Sequence, residues 1–426
     1  MNFVEILGNI SDFLMGLGIP VLLPLIIMIL GLIFGQKFST ALRAGLTFGA
    51  GFIALNLIIG LLIDTMVPVT QALVENTGAD LSILDVGWGV AGAISWATKA
   101  SAVVLPVGLL TNFVMLAFKW TKTLNIDIWN YWNQAFTASV LYLVTGSIWW
   151  SVLGVIVHTV YALKIADHTA EKVQEFYELP GISIPHGWAV TSYPIIYAVN
   201  WVLDRIPGVK DIKWDEGTIQ EKLGVFGEPL ILGTLLGIIV GAIAGLWRDP
   251  VKLITLGVTV GTAMILIPKI IGFFMEALTP LSQSAREFMT KRYPDRELYI
   301  GLDSAVLIGH PVTVAAAIIL IPIVLGLAII LPGNKVLPFG DLASLFYFVA
   351  FVPFLTKGNL FRSVVSGAFI MTAVMYILTS FGSALTQMAV NVGYAIPAGA
   401  VDITGLSAGN WVTWVLYQLG RLVAGG

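Results

Sequence analysis

The sequence predicts an all-α integral membrane protein, with about 11 transmembrane helices, two re-entrant hairpins and an inverted internal repeat. Three observations carry that expectation. Of 426 residues, 57% are hydrophobic and only 11% charged, whereas a soluble domain carries about 25% charged residues. Apolar runs of roughly 20 residues recur along the chain, the length that a ~30 Å hydrocarbon core demands of a helix. Between them lie two acidic, Gly-rich segments too short to cross, Leu81–Gly92 (LSILDVGWGVAG) and Tyr299–Pro311 (YIGLDSAVLIGHP). Alternating strands of the outer-membrane barrel type are absent.

Taken in order, Met1–Gly18 is a weakly amphipathic lead-in without a signal-peptide n-region. The first span, Ile19–Gly35, stops at Gln36-Lys37, and a second covers Ala44–Thr65. The first hairpin (near 81–96) precedes a third span, Lys99–Phe118, closed by Lys119 and Lys122. Asn125–Asn133 (NIDIWNYWN) opens an apolar run to Leu163 that is too long for one span; Gly146-Ser147 divides it into spans four and five. Residues 166–226 form the longest polar segment and are expected to be cytoplasmic. Gly227–Pro229 opens span six, which ends at Arg248, and span seven covers Ile254–Phe274. The second hairpin (near 297–311) leads into span eight, Val312–Leu331. Spans nine and ten flank Lys357–Arg362, and a Gly-rich loop, Ser383–Gly409, precedes a last span at Trp411–Val423.

With the N-terminus outside, most Lys and Arg fall in cytoplasmic loops, as the positive-inside rule requires. Spans one to five (1–165) and six to ten (227–382) then repeat the same order with opposite orientation, leaving 383–426 as outer loop and last span.

Ionisable groups at membrane depth are costly, so Asp85 and Asp303 are the first candidates for a solute site. Either could instead cap a helix. A polyhydroxylated solute suits them, because each hydroxyl can donate to a charged acceptor. Glu228, before Pro229, serves equally as a first-turn acid or as a hydroxyl acceptor. His186 and His310 sit against Pro and Gly where the backbone turns, and either could act as a general base. His158, inside an apolar run, suits a satisfied core position. Trp88, Trp129 and Trp132 suit either an interface belt or stacking on a sugar's C–H face.

The chain has no cysteine, which excludes thiolate and disulfide chemistry on it. No metal-ligand spacing, nucleotide-binding loop or basic patch occurs, so no metal, cofactor or nucleic acid is expected.

The strings LDVGW (84–88), NIDIWN (125–130), IPHG (184–187), FGEP (226–229), GLDSAVLIGH (301–310), PGNKVLPFGDLA (332–343) and KGNLFR (357–362) resemble the galactitol-type enzyme IIC of the bacterial phosphoenolpyruvate-dependent sugar phosphotransferase system. Nearly the whole chain is covered, and the likeness places it in the ascorbate–galactitol group. That resemblance implies a plasma-membrane homodimer whose protomers each have a scaffold (V-motif) domain and a core transport domain. It implies elevator-like transport and a separate cytoplasmic IIB, charged through IIA on its own cysteine, that phosphorylates the solute. The chain itself would be a transport subunit, not an enzyme. The resemblance carries over Asp303 and, by a looser match, Asn133, Gln134 and His186 as solute contacts. Our own expectation is that Asp303 positions the reacting hydroxyl, with Asp341 or His310 supporting it. The basic segment 166–226, with Lys210 and Lys213, is the expected docking surface for IIB. Read from the residues alone, an ion-coupled secondary transporter of a polyol or sugar remains the other possibility.

Overall fold

The computed structural model describes residues 19–77, 81–125, 127–212, 214, 228–292, 296–338, 344–396 and 400–425. It is mostly helical. Helices α1 (Ile19–Ile33) and α2 (Phe38–Thr77) lead to strand β1 (Ile83–Asp85), α3 (Gly87–Ala97), a 3-10 turn (Lys99–Val103) and α4 (Val104–Ala117). Strand β2 (Thr123–Asn125), a 3-10 turn (Ile128–Tyr131), α5 (Trp132–Thr145) and α6 (Ile148–Tyr177) follow, then β3 (Ile182–Ser183) and α7 (Gly187–Leu203). The second half holds α8 (Pro229–Ile243), α9 (Pro250–Arg292), β4 (Tyr299–Gly301), a 3-10 turn (Ser304–Leu307) and α10 (Pro311–Ile330). It ends with β5 (Val336–Leu337), α11 (Ser344–Phe348), α12 (Val352–Leu355), α13 (Leu360–Asn391), β6 (Asp402–Thr404), a 3-10 turn (Leu406–Ala408) and α14 (Trp411–Ala424).

Among the described residues, four segments are long and apolar enough to span a membrane: Lys99–Ala117, Ile148–Tyr177, Pro311–Ile330 and Leu360–Asn391. Leu110, Phe113, Trp149 and Phe369 stand exposed on their outer faces, as lipid contact would have it. The break at Gly146 is real: with φ +65 its amide donates to Tyr142 O and ends α5 in the left-handed conformation glycine tolerates.

Other boundaries moved. Helices α2 and α9 run for 40 and 43 residues, roughly 60 Å each at 1.5 Å per residue, continuing past Pro68 in α2 and past Pro268 and Pro280 in α9. Span nine is two short helices, α11 and α12, and the expected outer loop from Ser383 begins as the last turns of α13. Residues 166–226 are not one polar loop either. Ala166, Thr169, Ala170 and Val173 are buried on α6, and β3 and the first turns of α7 are buried too. Their polar side chains point inward to the protein, which composition alone does not reveal. The segment is exposed on the outer side and at the end of α6, at Glu171, Lys172, Glu175 and Glu178, and from Tyr197 onward; Lys213 and Asp341 lie outside the described residues.

Two packing groups result. Helices α1, α2, α8 and α9 pack on one another, and α3–α7 with α11–α14 form the other group, with α10 at the seam. Gly237 and Gly241 on α8 face α9, and an added Cβ on Gly237 would lie 2.8 Å from Gly257 Cα, a small-residue interface of membrane type.

The strands form two three-stranded parallel sheets, in the orders β5-β1-β6 and β2-β4-β3. In each, the central strand comes from one half of the chain and both flanking strands from the other. Strands this short are insufficient alone, and side chains complete their edges. Asn112 of α4 donates to Thr123 O and accepts from Asn125 N, both at 2.8 Å, standing in for a fourth strand beside β2. Asn334 serves β5 in the same way, donating to Val336 O and accepting from Val336 N. Asn112→Ala would leave two buried backbone groups unpaired and should cost about 2–4 kcal/mol, seen as a lowered thermal midpoint of the purified protein.

Candidate solute site at the end of the β2-β4-β3 sheet

All three strands of this sheet run the same way, with Asn125, Gly301 and Ser183 level in register. The loops leaving their carboxyl ends therefore emerge on one side, where open parallel sheets bind ligands. Those loops carry Asp127, Asp303 and His186.

Asp303 caps the 3-10 turn after β4, its Oδ1 accepting from Ala305 N at 2.7 Å. Its Oδ2 lies 3.7 Å from His186 Nε2, too far for a direct hydrogen bond but a span that one hydroxyl oxygen can bridge. His186 is 4% exposed, and its ring is aimed by Ser304 Oγ, 2.9 Å from Nδ1. Beside it, Asn133 stands over Gly187, where an added Cβ would lie 2.3 Å from Asn133 Cγ. Asn133 Oδ1, Gln134 Oε1, Trp129 Nε1 and Trp132 Nε1 are buried and have no hydrogen-bond partner among the described residues, although buried polar groups ordinarily find one.

Asp127 closes the third side. Its Oδ1 accepts from Trp129 N and its Oδ2 from Asp303 N, each at 3.0 Å. The loop that carries it is pinned by Asn130 Nδ2 to Asn125 Oδ1 and by Tyr131 OH to Asn125 O. The sequence reading passed over Asp127 as a site residue; an acid amid Asn and Trp in NIDIWNYWN was the signal available. At the opposite end of the strands, Lys122 Nζ meets Glu297 Oε2 at 2.6 Å, holding that exposed carboxylate below its usual range. Such a surface pair adds little stability.

The other expected residues sort differently. Asp85 ends β1 in the second sheet, where its Oδ1 accepts from Gly87 N at 3.0 Å. This is the same two-residue turn that Asp303 makes, so the echo is geometric as well as sequential. Asp303's carboxylate neighbour is nonetheless Asp127, not Asp85. The first hairpin meets the segment after β2 through tryptophan instead: Trp88 lies edge-on to Trp129 at 6.2 Å and to Trp132 at 5.5 Å, and Trp129 stacks on Trp132 at 5.0 Å. His310 caps α10, its Nδ1 accepting from Val312 N, with its ring 4.7 Å from Phe176. That bond commits the ring to its own helix, so the structure shows no support of Asp303 by it. Glu228 is exposed beside the start of α8, in the other packing group. His158 is a satisfied core residue, bonded to Thr137 Oγ1 at 2.8 Å and Asn410 Nδ2 at 3.3 Å.

A family model described as the PTS system sugar-specific permease component (EIIC-GAT) matches residues 13–399. The chain belongs to this permease family. It is 38% identical over 411 residues to the "PTS system galactitol-specific EIIC component" of Escherichia coli (strain K12), covering 96% of this chain and 90% of that one. The corresponding protein of Escherichia coli O157:H7 gives the same figures. The "Putative permease IIC component" of Escherichia coli (strain K12) is 40% identical over 408 residues, 96% of this chain and 93% of the other. The permease is thus a multi-pass membrane transport subunit of a phosphotransferase system, and the residues above are where its fold gathers buried polar groups. In this permease the Asp303 carboxylate, the His186 imidazole, Asn133 and the Asp127 loop come together at one end of the β2-β4-β3 sheet.

Proposed function

We propose that the chain is the membrane carrier for galactitol or a hexitol of similar stereochemistry, and that it delivers the solute to a separate IIB for phosphorylation. The observation that carries this reading is the Asp303–His186 gap, placed in a chain 38% identical to galactitol-specific relatives. A solute hydroxyl in that gap donates to Asp303 Oδ2 while His186 Nε2 contacts the same oxygen. Other hydroxyls engage Asn133 and Gln134, and a C–H face lies against Trp88 or Trp129. When the hydroxyl attacks the phosphoryl group on IIB, the P–S bond to the carrier cysteine breaks and the hydroxyl proton passes to Asp303 or His186.

Helices α1, α2, α8 and α9 supply the scaffold in this reading, with the strand-bearing group as the moving core of an elevator and a homodimer built on the scaffold. The exchange of central strands between halves supports an inverted repeat with re-entrant hairpins. The exposed turn around Asp204–Lys210 and the outer side of α6 at Glu171, Lys172, Glu175 and Glu178 are what the described part of 166–226 offers to IIB.

The test uses cells lacking endogenous hexitol permeases. With IIA and IIB supplied, labelled galactitol should appear inside as its phosphate. Accumulation of unmodified galactitol, driven by an ion gradient without IIA and IIB, would instead establish a secondary transporter.

A further inference from the structure

Asp127 has a geometry beyond that of a helix cap. Alternate residues of a strand face the same neighbour, so with Tyr299 N donating to Lys122 O on the β2 side, the donors facing β2 are those of residues 299, 301 and 303. Strand β2 ends at Asn125. The last of these donors, Asp303 N, is met by a side-chain oxygen, Asp127 Oδ2, at 3.0 Å. Asp127 is itself 7% exposed and has its other oxygen on Trp129 N.

Three fixings therefore meet on one carboxylate. Asp303's own turn holds Oδ1 on Ala305 N, and Ser304 aims the His186 ring. Asp127 holds the Asp303 backbone at φ −65 and ψ 149, from which Oδ2 reaches to 3.7 Å of His186 Nε2. Without that bond the hairpin's first turn has, among the described residues, no hydrogen bond to the β2 loop beyond Gly301, and Oδ2 is free to swing from the imidazole. Pre-organisation of this kind sets how much binding energy a contact delivers.

We propose that Asp127 is a positioning residue for solute binding, acting through the Asp303 backbone rather than by touching solute. The proposal rests on the functional reading above. Cap and tie can be separated, because Ser and Thr are good N-caps yet are too short to keep both bonds. Asp127→Ser and Asp127→Thr retain the cap on Trp129 N and lose the tie to Asp303 N.

The experiment measures galactitol binding by calorimetry, and the ligand-free melting temperature, on purified full-length wild type, Asp127→Ser, Asp127→Thr and Asp303→Asn. Expected for both Asp127 variants is a dissociation constant raised by about tenfold or more, with a melting temperature lowered only by the loss of one backbone hydrogen bond and still well above the assay temperature. In coupled uptake KM should rise while the maximal rate at saturating galactitol is kept. Wild-type affinity in the Ser and Thr variants, with binding lost in Asp303→Asn, overturns the proposal but leaves the site standing: Asp127 is then a cap alone. Affinity lost because the melting temperature has fallen to the assay temperature overturns it too. Wild-type binding by Asp303→Asn removes the site reading itself, and the role of Asp127 with it.

Discussion

Asp303→Asn should weaken galactitol binding by about 10- to 100-fold, the range expected when a hydrogen bond to a charged acceptor, about 1.5–3 kcal/mol, is lost. The substitution preserves shape, and the amide oxygen can still accept from Ala305 N, where Asp303 Oδ1 now sits at 2.7 Å. The position facing His186 Nε2 changes from an acceptor oxygen into an N–H donor. A solute hydroxyl bridging the two then loses its strongest acceptor. Membrane insertion and melting temperature should stay near wild type, because the hairpin keeps its cap and its bond to Asp127. Coupled uptake should fall with binding. Near-normal transport by this variant would remove Asp303 from the site.

Gly92→Ala should have the larger effect on folding. A Cβ there would lie 1.8 Å from Trp132 Cζ2 and 2.0 Å from Cε2, contacts that no rotamer adjustment of a methyl group relieves. Trp132 is itself hemmed in by Trp88, Trp96 and Trp129, so the indole has nowhere to retreat. Overpacking of this kind costs about 1–3 kcal/mol, and more where the neighbours are rigid. The expected result is a large drop in folded, detergent-stable protein. Pairing it with Trp132→Leu, which vacates the ring, should recover much of the loss. Equal yields for Gly92→Ala and wild type would show that α3 and α5 do not approach as closely as these contacts require.

Much of this architecture could be read from the chain before any coordinates. Hydropathy and span length gave the membrane class. Gly146-Ser147 marked the α5–α6 break because glycine ends helices in the left-handed region. Asp303 and His186 stood out because charge and imidazole in an apolar, Gly-rich setting need a reason. What misled was polarity taken as exposure. Thr169, Ser183, Thr191 and Ser192 make the stretch after Ala166 look solvated, yet all are buried. Each hydroxyl is hydrogen-bonded inside: those of Thr169, Thr191 and Ser192 to carbonyls of their own helices, and that of Ser183 to Thr123. Local hydrogen bonds let helices hide polar residues, and no window average detects that.

By itself, then, the sequence determined that this is a multi-pass membrane permease and that a break falls at Gly146, and it marked Asp303 and His186 as candidates for a solute site. Those properties follow from local causes: transfer free energy, backbone preference and the cost of isolated charge. Only the tertiary structure decided that Asp127 rather than Asp85 stands beside Asp303, that Trp88 closes on Trp129 and Trp132, and that His310 turns to its own helix. The first joins strands more than a hundred residues apart and the second joins segments about forty residues apart, both fixed by how the helices and the two parallel sheets pack. Pairing in such sheets is set by which edges meet when the helices pack, a choice that no single segment of the chain encodes.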